Sequence, residues 1–482
     1  MRVLKFGGTS LGNRERLKRV CDLITTAWAS NRRLVVVASA LSGVTDQLLD
    51  AARQCARNTF TTEARALLIA SLRQRHLDDL AAGLPAEIHP PLAERIDAQL
   101  AQLRECLDGI ALLGECTPNA RDEVLASGER LAVPLLAACL QARGLPCTDV
   151  DAADLIVGRR VENEAEVDFA ATSARLHQRL GEVGERTISL VPGFVAGDAS
   201  GRVLTLGRGA SDYTATLIAS ALKAEAVEIW TDVSGVLNAC PTLVPEASPL
   251  ASLSYAEAAQ MASLGARVLH PQTLEPLIEL GIPVIVRNTL RPEDPGTVIE
   301  PSHSTGDGVL AVTSIEQVSE LELCTSVPGA TDTIQLTARV FAVLDRLRYR
   351  PLCVATSLSG EGCSWVLRSE EAERAEAALR RELAADLAAG RTLERRDSGS
   401  VIALVGGPKA EPSRLAGDLL QSLARGGVRI RNLSLPWQND ARAVPRTALA
   451  LIDRDDLRPS ARLLHEAVLS GRSEVREAVA SL

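Results

Sequence analysis

The chain has 482 residues, 46% apolar and 23% charged, an ordinary globular composition that excludes disorder, and it is too long for one compact core, so two or more domains are expected. Its net charge of −9 argues against nucleic acid or an anionic membrane as partner, because nothing would offset phosphate repulsion. It lacks a signal-peptide pattern, any span of about 20 apolar residues, and any Cys-x-x-Cys among its ten cysteines, so a soluble cytoplasmic protein with free thiols is expected, with no membrane partner and no zinc ribbon.

The first 45 residues predict strand, helix, strand. Residues 3–6 are a short apolar run ended by Gly7-Gly8, and residues 13–28 carry Leu17, Val20, Ile24 and Ala27 at helical spacing. Residues 34–38 are continuously apolar, as in a strand covered on both faces of a parallel sheet. Residues 46–143, rich in Leu and Ala, predict helices broken near 83–91 and 116–119. Strands are expected at 187–191, 203–206, 227–230 and 284–286, with helices at 213–224 and 255–264. The alternation predicts an α/β fold with a mostly parallel sheet and helices on both faces. Residues 290–308, rich in Pro, Gly, Ser and acid, read as the end of a first domain spanning 1–300.

Two similar units follow, expected as domains over 310–395 and 396–482. The first reads strand 321–325, helix 338–347, strands 352–355 and 363–367, helix 370–388. The second repeats that order at 401–405, 412–425, 428–432, 447–452 and 459–469. Neither carries a catalytic constellation, which suggests a regulatory or dimerisation role.

The chemistry concentrates in three polar turns, each after a strand. Lys5-Phe6-Gly7-Gly8-Thr9-Ser10 offers glycine backbone to a phosphate and an ammonium to its charge. Only four of the 52 basic residues are lysines (Lys5, Lys18, Lys223 and Lys409), so Lys5 suggests a need for a point charge. Neither Gly-x-x-x-x-Gly-Lys nor Gly-x-Gly-x-x-Gly occurs, and taken alone the glycine pair reads as a tight turn. The second turn, residues 205–213, places Arg208 between glycines as a fork for carboxylate or phosphate, Ser211 as a helix N-cap, and Asp212 beside the site. The third, residues 230–235, presents Thr231 and Asp232. Polar turns at strand C-terminal ends are where an open α/β sheet places its ligand.

These segments resemble aspartokinase: KFGGTS near the start, VVVASALSGVT at 35–45, ASGER at 126–130, TLGRGASDYTA at 205–215, IWTDVSGV at 229–236 and SLGARVLHP at 263–271. They occur in the family's order over about the first 300 residues. TSIE at 313–316 and ARVF at 338–341 are similar to the family's tandem ACT modules of βαββαβ type, and LLGEC at 112–116 most resembles the kinase half of bifunctional aspartokinase–homoserine dehydrogenases, without the dehydrogenase.

The resemblance implies transfer of the γ-phosphoryl group of ATP to the β-carboxylate of L-aspartate, with Mg²⁺ bridging phosphates, as a step toward lysine, threonine and methionine. Lys5 and Asp212 would serve the reacting centre, and Gly7, Gly8, Thr9 and Ser10 would face the phosphoryl group. Ser39, Thr45, Glu129, Arg208 and Ser211 would hold aspartate, with Glu129 on its ammonium and Arg208 on a carboxylate. Thr231, Asp232, Leu237, Thr242 and Arg267 would contact the nucleotide. His270 is expected to be structural, and a homodimer or homotetramer through the ACT region is expected.

Departures from the family pattern cluster in one loop. Leu237, Cys240 and Thr242 stand where Tyr, Asp and Arg are usual, Arg267 where Lys is usual, and Ala210 replaces a frequent glycine. Weakened nucleotide affinity with ordinary amino-acid recognition is expected. Kinase action on another amino-acid carboxylate, or a catalytically silent amino-acid sensor, are the alternatives. In the ACT region residues 356–361 stand at the effector loop, and Pro436 is expected to disturb strand pairing.

Overall fold

The computed structural model describes residues 1–31, 33–161, 164–182, 186–207, 209–266, 269–301, 308–325, 333–356, 362–435 and 446–470. Arg208, Arg267, residues 357–361 and Pro436 lie outside them. The chain divides into two compact units, one of residues 1–236, 249–259 and 268–303, the other of residues 237–248, 260–267 and 304–482.

The first unit begins β1 (Arg2–Phe6), α1 (Arg14–Ser30), β2 (Leu34–Ala38), α2 (Val44–Ala56), α3 (Thr62–Arg73), α4 (His89–Leu113) and α5 (Pro118–Gln141). It continues β3 (Cys147–Asp149), β4 (Gly158–Val161), β5 (Glu164–Val167), α6 (Phe169–Glu182), β6 (Ile188–Pro192), β7 (Val195–Gly197), β8 (Val203–Thr205), α7 (Ala210–Ala221) and β9 (Ala226–Thr231). After β10 (Ser252–Ser254) and α8 (Tyr255–Ser263), whose residues 260–263 group with the second unit, come β11 (Val284–Asn288) and β12 (Thr297–Glu300). Eight strands form one sheet in the order β10-β12-β11-β9-β1-β2-β6-β3, and every pair is parallel except β11 with β12. The expected α/β fold, with its mostly parallel sheet, is the one observed. From β1 the chain crosses to β2 on one side and later to β9 on the other, so the strand order reverses at β1, the switch point at which such sheets bind ligands.

Alternation along β1 sends Leu4 and Phe6 into a core cluster with residues of α1 to α5, and Lys5 to the opposite face. The continuous burial of β2 fits a strand covered on both sides. Residues 290–308 include β12, antiparallel to β11, near the end of the first unit. One sequence reading is corrected here. Helix α7 starts at Ala210, three residues earlier than expected, because Gly209 adopts φ 71° and opens the helix in place of a side-chain cap; Ser211 sits inside the first turn.

The second unit adds β13 (Val309–Thr325), α9 (Thr333–Arg346), β14 (Cys353–Thr356), β15 (Gly362–Arg368), α10 (Ser369–Glu382), α11 (Ala384–Ala388) and β16 (Arg391–Gly406). It ends α12 (Pro412–Arg425), β17 (Ile430–Ser434), β18 (Arg446–Asp453) and α13 (Leu457–His465). Its strands make one antiparallel sheet, β14-β15-β13-β16-β18-β17. The strands expected at 321–325 and 401–405 are the far ends of β13 and β16, which are 17 and 16 residues long and pair with each other.

Each half of that sheet has its own core. Leu321, Leu323, Trp365 and Leu393 pack with α9 and α10, while Val309, Val312, Ile402 and Leu404 pack with α12 and α13. The C-terminal core thus draws strand residues from ahead of the N-terminal one, and residue 396 falls inside a continuous strand. Residues 237–248 belong to this unit as well. Ala239, Leu243 and Val244 join the C-terminal core, Val312 donates its N–H to Asn238 O at 2.8 Å, and Arg462 Nε donates to Leu243 O at 3.1 Å. Among the described residues no helix is long and apolar enough to cross a membrane.

Candidate functional site

Four strands of the first unit end side by side, and backbone hydrogen bonds tie the turns that follow them. Gly7 N–H donates to Trp230 O at 3.2 Å, Ser39 N–H to Phe6 O at 3.1 Å, Ser42 N–H to Gly8 O at 3.2 Å, and Thr289 N–H to Thr231 O at 2.8 Å. The turns after β1, β2, β9 and β11 therefore form one rim. Asn13 caps α1 behind the first turn by accepting from Arg16 N–H, and Arg16 Nη1 donates to Thr9 O at 2.8 Å.

Lys5 projects toward α7, where its Nζ lies 2.6 Å from Asp212 Oδ1. Both side chains are mostly shielded, at 12% and 11% exposure, a setting in which a charge needs its counter-charge. A Cβ at Gly7 would stand 3.7 Å from that Nζ, so the missing side chain leaves open the space in front of the ammonium. Gly8 serves closeness instead: a Cβ there would lie 2.5 Å from Ala40 O. Ser10 is buried, with its hydroxyl 2.7 Å from Thr289 Oγ1, so its side chain braces the turn.

Glu129 approaches from α5. Gly128 lets that helix close on Ala40, since a Cβ would come within 2.8 Å of Ala40 Cβ. Burial pushes the Glu129 carboxyl up to about 8, against the lowering effects of the Ala40 amide and the Lys5 ammonium. A buried acid next to an ammonium and a loop amide is suited to receive a second cation. Ser39 follows β2 and Thr45 opens α2, both half-buried. Ser211 packs on Gly193, where a Cβ would lie 2.5 Å from Ser211 Cβ. Thr231 Oγ1 donates to the exposed Asp232 at 3.2 Å.

The structure therefore brings Lys5, Gly7, Gly8, Thr9, Ser10, Ser39, Thr45, Glu129, Ser211, Asp212, Thr231 and Asp232 into one unit. Leu237 and Thr242 group with the other unit. Among the described residues no three His, Cys, Asp or Glu side chains gather as a metal cage.

The sequence reading passed over the turn after β11. Asn288 Nδ2 donates to Ser234 Oγ at 2.9 Å, and Ser234 bonds Asp294, linking the third turn to a fourth. Asn288-Thr289 follows an apolar strand as the other turns do, which was the available signal. The grip of Asp122 on Thr205, described below, left no local mark.

Residues 1–288 match the model of the amino acid kinase family. The chain is 33% identical over 364 residues to chloroplastic aspartokinase 1 of Arabidopsis thaliana, covering 74% of this chain and 61% of that one. It is 27% identical over 482 residues to a bifunctional aspartokinase/homoserine dehydrogenase of Haemophilus influenzae, covering 98% of this chain and 57% of that one. The chain spans about half the length of the curated relatives it matches. Among solved structures it is similar to E. coli aspartokinase III in complex with aspartate and ADP (R-state), with a TM-score of 0.81, 25% identity, and coverage of 97% of this chain and 99% of that one.

Proposed function

The chain belongs to the amino acid kinase family, and from that premise we propose that it is an aspartokinase, transferring the γ-phosphoryl group of ATP to the β-carboxylate of L-aspartate to form 4-phospho-L-aspartate. The observation that carries this reading is the Lys5–Asp212 ion pair at the strand-order reversal, with open space over Gly7 and the buried Glu129 behind it. The complex of E. coli aspartokinase III with aspartate and ADP supports the choice of both ligands.

The acceptor carboxylate, with an ordinary pKa of about 3.9, is ionised without help, so no protein base is required. The work is positioning and charge neutralisation of an in-line transfer. Lys5 holds its ammonium against the transferring oxygens, and Asp212 fixes the direction of that ammonium. Gly7 and Gly8 present backbone to the phosphates, Thr231 and Asp232 hold the nucleotide, and Mg²⁺, when bound, supplies charge neutralisation between its phosphates. Glu129 pairs with the α-ammonium of aspartate, while Ser39, Thr45, Ser211 and Arg208 hold its carboxylates. The second unit is assigned a regulatory, ACT-like role and the contacts of a homodimer or homotetramer, in a protein working in the cytoplasm.

Trapping the acyl phosphate with hydroxylamine tests the reaction directly. Aspartate with ATP is expected to yield aspartyl hydroxamate, and a chain that yields hydroxamate from glutamate but none from aspartate would move the acceptor assignment. Lys5→Ala, which removes the ammonium, is expected to lower kcat by about 10²–10³, the scale of losing one preorganised charge contact in a shielded site.

A further inference from the structure

We infer that Asp122 is a positioning residue that grips the acceptor-binding loop through Thr205 and holds it in register with Glu129, an inference that rests on the aspartokinase reading. Asp122 is fully buried near the start of α5. A carboxylate so placed persists only if donors satisfy it. Thr205 supplies two, its Oγ1 donating to Asp122 Oδ1 at 2.8 Å and its N–H to Oδ2 at 3.3 Å. Two guanidinium groups add to them, Arg160 on β4 through its Nη2 to Oδ2 and Arg121 through its Nη2 to Oδ1 at 3.5 Å.

Thr205 is the last residue of β8, a three-residue strand that pairs only with β7 among the described strands. The glycine-rich stretch follows at once, with Gly207 at φ 86° and Gly209 at φ 71°. Both glycines take a left-handed conformation open to them at no steric cost, and the described residues on either side are each anchored. The far end is seated where a Cβ on Gly209 would meet His270 Cβ at 2.7 Å. The near end is held by Asp122 and by Leu206 N–H donating to Phe194 O at 2.9 Å. A pair of apolar side chains could also pin this loop, but not direct a backbone N–H and a hydroxyl at one point.

Asp122 and Glu129 lie seven residues apart, two turns of α5, hence on one face of the helix and about 10.5 Å apart along its axis. One rigid helix carries both the group assigned to the substrate ammonium and the anchor of the loop assigned to its carboxylate. The distance between the two ends of the acceptor site is thereby built into α5, and loosening the Thr205 contact frees one end without touching the nucleotide turns.

The test compares Thr205→Val, which keeps shape and loses the hydroxyl donor, with Thr205→Ser, which keeps the donor. Aspartate affinity is read by calorimetry, and KM for aspartate and for ATP in the hydroxamate assay. Thr205→Val is expected to weaken aspartate binding and raise its KM about tenfold, the scale of one hydrogen bond to a charged group, with the KM for ATP unchanged; Thr205→Ser restores both. Unchanged aspartate affinity in Thr205→Val overturns the inference, as does an equal loss for both substrates or a failure of serine to rescue. If the unaltered protein neither binds aspartate nor makes hydroxamate, the aspartokinase reading itself falls and this inference falls with it.

Discussion

Glu129 sets two demands against each other. Burial raises its carboxyl from the usual value near 4.5 to about 8, so the unfolded chain ionises over a range of pH in which the folded one keeps its proton. Its contribution to stability is therefore fully present below about pH 4.5 and is lost as pH rises toward 8. Glu129→Gln keeps the shape and removes the titration. Its thermal midpoint is expected to rise above that of the unaltered protein at pH 8 and to match it near pH 4.5, while aspartate binding weakens; equal midpoints at both pH values would count against this. The same proton couples to the ligand. At pH 7 the free protein holds Glu129 largely neutral, and an ammonium favours the carboxylate, so aspartate binding is expected to release a proton and tighten between pH 7 and 9. Calorimetry in buffers of different ionisation enthalpy measures that proton.

At the scale of elements, the two glycines after β1 separate binding from folding. A Cβ at Gly7 meets only ordinary contacts, and the nearest is the Lys5 ammonium. Gly7→Ala is expected to fold normally and lose nucleotide affinity. At Gly8 the Cβ would sit 2.5 Å from a backbone oxygen on the turn after β2, which has to move. Gly8→Ala is expected to cost about 1–3 kcal/mol of stability, the scale of overpacking, and to lower activity with it. Denaturation curves paired with nucleotide titrations distinguish the two. Gly7-Gly8 was legible in sequence as a turn, but not the division of labour between the glycines, because the neighbour that decides it, Ala40, comes from the turn after β2. The N-cap assigned to Ser211 failed for a similar reason: a Ser at a helix start is a generic cap signal, and here Gly209, seated against His270, opens the helix instead.

For the whole molecule, the division into units does not follow the chain. Residues 237–248 leave the first unit just after the turn that follows β9 and supply Ala239, Leu243 and Val244 to the core of the second. A chain shortened to residues 1–303 would carry those side chains without Leu415, Leu419 and Leu464, their partners in that core. It is expected to bind hydrophobic dye and self-associate, and a Leu243→Ser, Val244→Ser pair is expected to relieve this; light scattering decides. The departures at Leu237, Cys240 and Thr242 fall in this same segment, so its residues answer to the packing of the second unit as well as to any ligand. By itself the sequence determined the α/β class and the strand-and-turn signature of the rim, because these follow from local apolar periodicity, while Lys5 and Asp212 drew notice by residue chemistry and Glu129 only through the resemblance of its motif to a known family. Only the tertiary structure decided that Lys5 pairs with Asp212, that β13 and β16 run continuously through both halves of one sheet, and that residues 237–248 serve the second core. Those outcomes depend on contacts between residues tens to hundreds of positions apart, which no local pattern encodes.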